Sequence, residues 1–233
     1  MLFRSAYYRG ISVAVKEFKP RQARSRDEIK KDVLMEAEMI GQLSDHRGLP
    51  LLFGTINKSP RLRLITQYHG EKNSCTTLHY AIKKLKLDKP SWQGILINIS
   101  EAQGHIHKVL HNDLKLNNVV MEKRGEQWNP IVIDFGKARL IANPKPQMNL
   151  SSPAQEEYGQ SNLQSAPEIV SGQGQQSVAC DVLSLGKIVR INLNSLPNTK
   201  ALSLKLSKKL TCHDLAKCPQ LTEFAAVLYT HVA

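Results

Sequence analysis

From residue 7 to residue 18 the chain reads YYRGISVAVKEF, an alternation of apolar and polar positions rich in β-branched residues. It predicts two strands turning at Arg9-Gly10, the second carrying Val13-Ala14-Val15-Lys16. A basic, polar connection from Lys19 to Arg26 follows, and then the period lengthens. Ile29, Val33, Leu34, Ala37, Ile40 and Leu43 recur at helical spacing, which predicts a helix over Asp27–Leu43 with one apolar face. Leu49–Ile56 and Leu62–Gln67 read as two more strands around the turn-forming Asn57-Lys58-Ser59-Pro60. A short helix is predicted near Leu78–Leu85. A longer one opens at Asp88 and Pro90 and runs to about Leu110, burying Ile95, Leu96, Ile99, Ala102, Ile106 and Val109.

Composition narrows the class. The 233 residues are long enough for one large domain or two small lobes, and 41% hydrophobic content is ordinary for a globular protein. A net charge of +12 favours anionic partners, although it says nothing of fold. Nucleic acid is not expected among them, because aromatics are only 6% and do not interleave with the basic clusters. Cys75, Cys180, Cys212 and Cys218 are spread without a Cys-x-x-Cys pair, so neither a zinc site nor a disulfide framework is suggested. His105 and His107 are two apart and cannot face one metal from a regular helix. MLFRSAYYRG lacks the apolar core of a signal peptide, and no stretch approaches the roughly 20 apolar residues that span a bilayer. A cytoplasmic or nuclear setting without membrane insertion is the expectation.

The chemistry concentrates between His111 and Gly136, HNDLKLNNVVMEKRGEQWNPIVIDFG. Asp113 stands two residues before Lys115 and five before Asn118, and the apolar run Ile131–Ile133 delivers Asp134 into the turn Phe135-Gly136. Phosphoryl transfer needs little from a protein beyond placing metal, base and nucleophile in line, and this pair of segments suits a Mg²⁺-bound triphosphate. One carboxylate would take a proton from an incoming hydroxyl while the other holds the metal. HNDLKLNN resembles the catalytic loop of protein kinases, usually His-Arg-Asp-Leu-Lys-x-x-Asn, and IDFG resembles their metal-binding Asp-Phe-Gly turn. Ser165-Ala166-Pro167-Glu168 is similar to the Ala-Pro-Glu closing a kinase activation segment, and Asp181–Gly186 to the start of the following core helix, whose aspartate braces the catalytic loop.

The resemblance implies an α+β, bilobal fold filling residues 1–233. A small β-rich lobe and hinge, incomplete at its start, would occupy residues 1–69, and a mainly helical lobe, abbreviated after about residue 190, residues 70–233. It implies ATP and Mg²⁺ as cofactors and a protein substrate, and leaves oligomeric state open. Asp113 would orient the acceptor hydroxyl and take its proton, and Lys115 would neutralise the transferring phosphoryl. Asn118 and Asp134 would hold Mg²⁺. Lys16, in VAVK, would bind phosphate, paired with Glu36 rather than Glu38. Thr66 would guard the pocket behind adenine, and backbone groups of Gln67, Tyr68 and His69 would bond its edge. His111 and Phe135 would pack the two loops together, and Gly136 would free the backbone to turn after Asp134.

Three departures stand out. The glycine-rich phosphate loop that should precede VAVK is absent, which suggests a fragment or a mispredicted start. Asn112 replaces the arginine that pairs with a phosphorylated activation segment in many kinases; Ser151, Ser152, Tyr158 and Ser161 remain modification candidates. The arginine partner of Glu168 is not evident, with Cys218 near its place. The segment from Lys137 to Ser165 is polar and rich in Pro, Ser and Gln, and is expected to be mobile, with Lys137 and Arg139 readable as surface charge. Beyond it, ALSLKLSKKL and LTEFAAVLYT are expected to form the last helices. Lys115 favours the serine/threonine pattern, with Ser161 standing in for the threonine before Ala-Pro-Glu. Two other readings remain: a pseudokinase that binds or scaffolds with little turnover, and a small-molecule kinase of the aminoglycoside or choline type, against which Lys115 and the Ala-Pro-Glu segment speak.

Overall fold

The computed structural model describes residues 2–19, 24–43, 45–58, 61–70, 75–106, 108–143, 151–161, 165–172 and 174–194. The stretches ALSLKLSKKL and LTEFAAVLYT, and Cys212 and Cys218 with them, lie outside these residues.

The chain begins with a hairpin, β1 (Leu2–Tyr8) and β2 (Ile11–Phe18), paired Tyr8 to Ile11 through Leu2 to Glu17. Arg9 and Gly10 both take positive φ, 49° and 79°, the combination that a two-residue hairpin turn needs to match the strand twist. Helix α1 (Arg26–Leu43) opens with a reciprocal cap. Ser25 Oγ accepts from the Glu28 amide at 3.2 Å, and Glu28 Oε2 accepts from the Ser25 amide at 2.7 Å. Its buried stripe, Ile29, Val33, Glu36, Ala37, Ile40 and Leu43, includes one acid. Strands β3 (Leu52–Ile56) and β4 (Leu62–Gln67) complete an antiparallel sheet of order β1-β2-β4-β3, on which α1 packs. The strand expected from Leu49 thus starts three residues later, because Leu49 is buried in the turn that leaves α1.

After the two-residue strand β5 (Thr76–Thr77) come helices α2 (Leu78–Lys84) and α3 (Lys89–His105). Thr77 and Asp88 cap them, accepting from the Tyr80 and Ser91 amides at 3.3 and 3.0 Å. The long helix therefore ends before Leu110: Val109–Leu110 forms strand β6, paired with β9 (Arg139–Leu140). Between them run a 3₁₀ turn at Leu116–Asn118 and the hairpin β7 (Val119–Arg124) and β8 (Gln127–Val132), whose outer side pairs with β5. Helices α4 (Ser152–Ser161), α5 (Pro167–Val170) and α6 (Val178–Asn194) follow. The polar stretch expected to be mobile thus carries β9 and α4, since β6 gives Arg139–Leu140 a backbone partner and α4 rests against α5.

One buried apolar cluster runs from Ala37, Ile40 and Leu64 through Leu78, Ile95, Ile99 and Leu114 to Phe135 and Leu185. It joins the sheet to the helices, so the segments facing each other across the cleft between them rest on a shared support. No helix among the described residues is long and apolar enough to cross a membrane.

Candidate active site

Lys16 sits on central strand β2 with its side chain toward α1, and only 4% of that side chain is exposed. Its ammonium donates to Glu36 Oε1 and Oε2 at 2.6 and 2.8 Å and to Asp134 Oδ1 at 2.6 Å. A buried ammonium requires such partners, because an unpaired charge there would lose hydration with nothing in return. Burial pushes the Glu36 carboxyl above its ordinary value, with Lys16 opposing the rise. The alternative acid, Glu38, faces outward and accepts from Gln42 at 3.4 Å. Asp134 has φ 67°, so the left-handed turn falls on the aspartate and not on Gly136 as expected. Gly136 answers a different need. A Cβ there would lie 3.2 Å from both Glu36 Oε2 and Lys16 Nζ and 3.3 Å from Asp134 Oδ1, inside the space the three charged groups require.

The loop after β6 is held from behind by Asp181 in the first turn of α6. Its carboxylate accepts from the His111 amide at 2.6 Å and the Asn112 amide at 2.9 Å. Burial raises the Asp181 pKa, and His111 and the two amide donors oppose the rise. Asn112 takes φ 61°, a conformation that asparagine tolerates better than most residues, and its side-chain amide donates to Lys137 O at 3.2 Å. His111 is fully buried; Nδ1 accepts from the Asp113 amide at 3.3 Å while Nε2 faces Ile133 O at 3.2 Å. A ring with Nδ1 as acceptor and Nε2–H as donor satisfies both contacts. Its ring lies 4.9 Å from that of Phe135, which ties the two loops together.

Asp113 is 4% exposed, and its carboxylate accepts from three side-chain nitrogens. Lys115 Nζ reaches Oδ2 at 2.8 Å, Asn118 Nδ2 reaches Oδ2 at 3.2 Å and the backbone carbonyl at 2.9 Å, and Lys137 Nζ reaches Oδ1 at 3.0 Å. Burial works to raise the Asp113 pKa, but the bonds from Lys115 and Lys137 outweigh it and hold the carboxyl below its ordinary value.

Lys16, Glu36, Asn118 and Asp134 border a cleft of about 390 Å³, walled by Ala14, Leu64, Val120 and Ile133 and edged by Thr66, Gln67, Tyr68 and His69. Its size and apolar walls suit a planar heterocycle. The Gln67 amide is engaged by Leu51 O at 2.8 Å and the Tyr68 amide by Ser12 O at 3.3 Å. Two of the N–H groups among the backbone groups expected to meet adenine are thus engaged within the sheet. Asn118 and Asp134 also line the cleft. Since Asn118 uses its amide nitrogen on Asp113, its oxygen is the atom suited to a hard cation, and Asp134 supplies a carboxylate opposite. Two such donors completed by phosphate oxygens fit Mg²⁺, and among the described residues no cluster of three or more His, Cys, Asp or Glu offers another metal site. His105, separately, meets Asp45 at 2.7 Å.

All ten positions singled out in the sequence border this cleft or, for Asp113 and Lys115, the loop beside it. Lys137 was the omission. It is exposed, as a surface charge would be, but its ammonium also reaches Asp113, and only its place directly after the Asp-Phe-Gly turn hinted at that. Glu168 accepts a weak bond from Cys180 Sγ at 3.7 Å.

The sequence model of the protein kinase domain matches residues 6–226. Among relatives, cysteine-rich receptor-like protein kinase 6 of Arabidopsis thaliana is 27% identical over 193 residues, covering 81% of this chain and 27% of its own length. Two G-type lectin S-receptor-like serine/threonine-protein kinases of the same plant are 26% and 30% identical over 145 and 137 residues, covering 60% and 57% of this chain and 17% and 16% of their own. The chain thus spans roughly a quarter or less of the length of these relatives. With the family model matched over nearly all of its length, and the motifs that carry the match gathered around one cleft, the chain belongs to the protein kinase domain family.

Proposed function

We propose that this chain transfers the γ-phosphoryl group of Mg-ATP to serine and threonine hydroxyls of proteins. The observation that carries the proposal is the grouping around one cavity of Asp113, ringed by donors, with Glu36 and Asp134, which lock Lys16 between them. Glu36 holds the Lys16 ammonium toward the α- and β-phosphates. Asp113 accepts the proton as the acceptor O–H bond breaks, the new O–P bond forms and ADP leaves with the electrons of the old one. Lys115, beside it, meets the charge of the moving phosphoryl. Asn118 and Asp134 would hold Mg²⁺, which supplies neutralisation of the phosphate charge when bound. The serine/threonine preference is supported by Lys115 two residues after Asp113 and by the two lectin-type relatives, which are serine/threonine-protein kinases.

The test is transfer of labelled phosphate from Mg-ATP to a generic protein substrate, with Asp113→Asn alongside. Loss of the base is expected to lower the rate by about 10²- to 10⁴-fold. Label transferred equally by both proteins would refute the assignment. No label from either, with nucleotide still bound, would make the chain a binding module.

A further inference from the structure

Asp113 is shared by two lysines while the other acids near it are matched one cation at a time. A second cavity of about 200 Å³ opens beside the loop, bordered by Lys19, Arg24, Asp32, Glu36, Asp113 and Lys137 among others. In it Asp32 meets Arg24 at 2.8 Å, and Glu36 meets Lys16 at 2.6 Å. Lys115 and Lys137 take opposite oxygens of the one Asp113 carboxylate, at 2.8 and 3.0 Å. The Lys137 and Lys115 side chains are 45% and 38% exposed whereas that of Asp113 is 6% exposed, so the two lysines stand between the carboxylate and solvent, Lys137 over Oδ1. A protein hydroxyl must approach from that side. Lys115 and Asn118 hold Oδ2, and the oxygen left to meet the acceptor is the one Lys137 touches.

We propose that Lys137 is a specificity-determining residue that selects acceptor sites in which a glutamate or aspartate adjoins the phosphorylated serine or threonine. An ammonium 3.0 Å from the oxygen that receives the acceptor proton lies within one residue's reach of the acceptor itself. A neighbouring substrate carboxylate gives Lys137 an anion of its own, and drawing Lys137 away uncovers Oδ1 for the acceptor hydroxyl. The bond from Asn112 to Lys137 O anchors the lysine backbone, so the side chain swings while the segment stays in place. Lys19 and Arg24 on the rim add to the attraction for acidic substrates.

This inference rests on the kinase reading, and its test separates the two. The full chain is given Mg-ATP and two peptides that differ only in glutamate or glutamine next to a single serine. The glutamate peptide is expected to be used with about 5-fold higher kcat/KM, the factor for a half-exposed ion pair, shrinking as salt is added. Lys137→Met should bring the ratio to one, and Lys137→Arg should restore it; ratios within each protein cancel any general change in activity. In parallel, binding of the same peptides with alanine in place of serine is measured in the presence of a non-hydrolysable ATP analogue. Transfer to both peptides at equal rates, or a preference that survives Lys137→Met, would overturn the role of Lys137 and leave the kinase reading intact. Absence of transfer together with equal binding would overturn both. Absence of transfer with glutamate-selective binding lost in Lys137→Met would overturn turnover alone.

Discussion

Replacing Asp181 by alanine removes the acceptor of two amides of the catalytic loop, that of buried His111 and that of half-buried Asn112. The His111 and Asn112 N–H groups donate to its two oxygens at 2.6 and 2.9 Å, and His111 is fully buried, so water does not readily take over. A buried donor left unsatisfied costs about 1–3 kcal/mol, giving about 2–6 kcal/mol for the pair. Against this, alanine escapes the burial of a carboxylate, which already raises the Asp181 pKa. The net expectation is a loss of about 3 kcal/mol, or about 6–12 °C in melting temperature for a domain of this size. Asp181→Asn keeps one oxygen and should lose roughly half as much. The same bonds hold Asn112 in its left-handed conformation and hence set the direction of Asp113. A displacement of about 1 Å at the reacting group lowers turnover by about 100-fold, so phosphate transfer should fall even where the variant is fully folded. Urea denaturation followed by circular dichroism gives the stability, and labelled transfer well below the midpoint gives the activity. A cost under about 0.5 kcal/mol for alanine, or unchanged transfer, would refute the claim that α6 supports the loop through these two bonds.

Other outcomes follow from the same geometry. Glu36→Gln leaves Lys16 with Asp134 as its charged partner; we expect about 1–3 kcal/mol of lost stability and a raised KM for ATP, read by thermal unfolding and initial rates. Gly136→Ala forces a methyl group to 3.2 Å from Lys16 and Glu36 and should weaken nucleotide binding measured by calorimetry, whereas unchanged affinity would show that the charged cluster can give way. The Asp113 pKa is depressed from 3.8, so the ionised base persists above its unfolded value and is lost only as pH falls through the lower folded one. The stability it contributes follows the same window. The acid limb of kcat/KM due to this group should therefore lie below the ordinary carboxylate range and move upward in Lys137→Met, as a pH–rate profile would show.

Much of the molecule was legible in one dimension because its local rules agree. Period-2 and period-3.6 patterns placed the turn at Arg9-Gly10, β2 and α1, though β1 reaches back to Leu2, before the expected start at Tyr7; Asp88 and Pro90 marked the start of α3, and Ser25 to Glu28 spelled a capping box that the hydrophobic pattern alone passes over. Chemistry concentrated in short motifs was equally visible, since Asp113, Lys115 and Asn118 are near neighbours in the chain. Contacts between distant residues were not legible in the residue pattern. The Lys16–Glu36 pair came only through the kinase resemblance, and the meeting of both with Asp134, across separations of 20 and 118 positions, is decided by packing of α1 on the sheet, with both on a shared core. Lys137 shows the limit most plainly. Composition cannot tell an exposed lysine from one whose backbone is held by Asn112 and whose ammonium bridges 24 positions back to Asp113. Sequence determined which groups were on hand for phosphate chemistry. The tertiary fold decided which carboxylate meets which cation, because burial removes water as the competing partner and leaves each charge to find its counterpart in the protein.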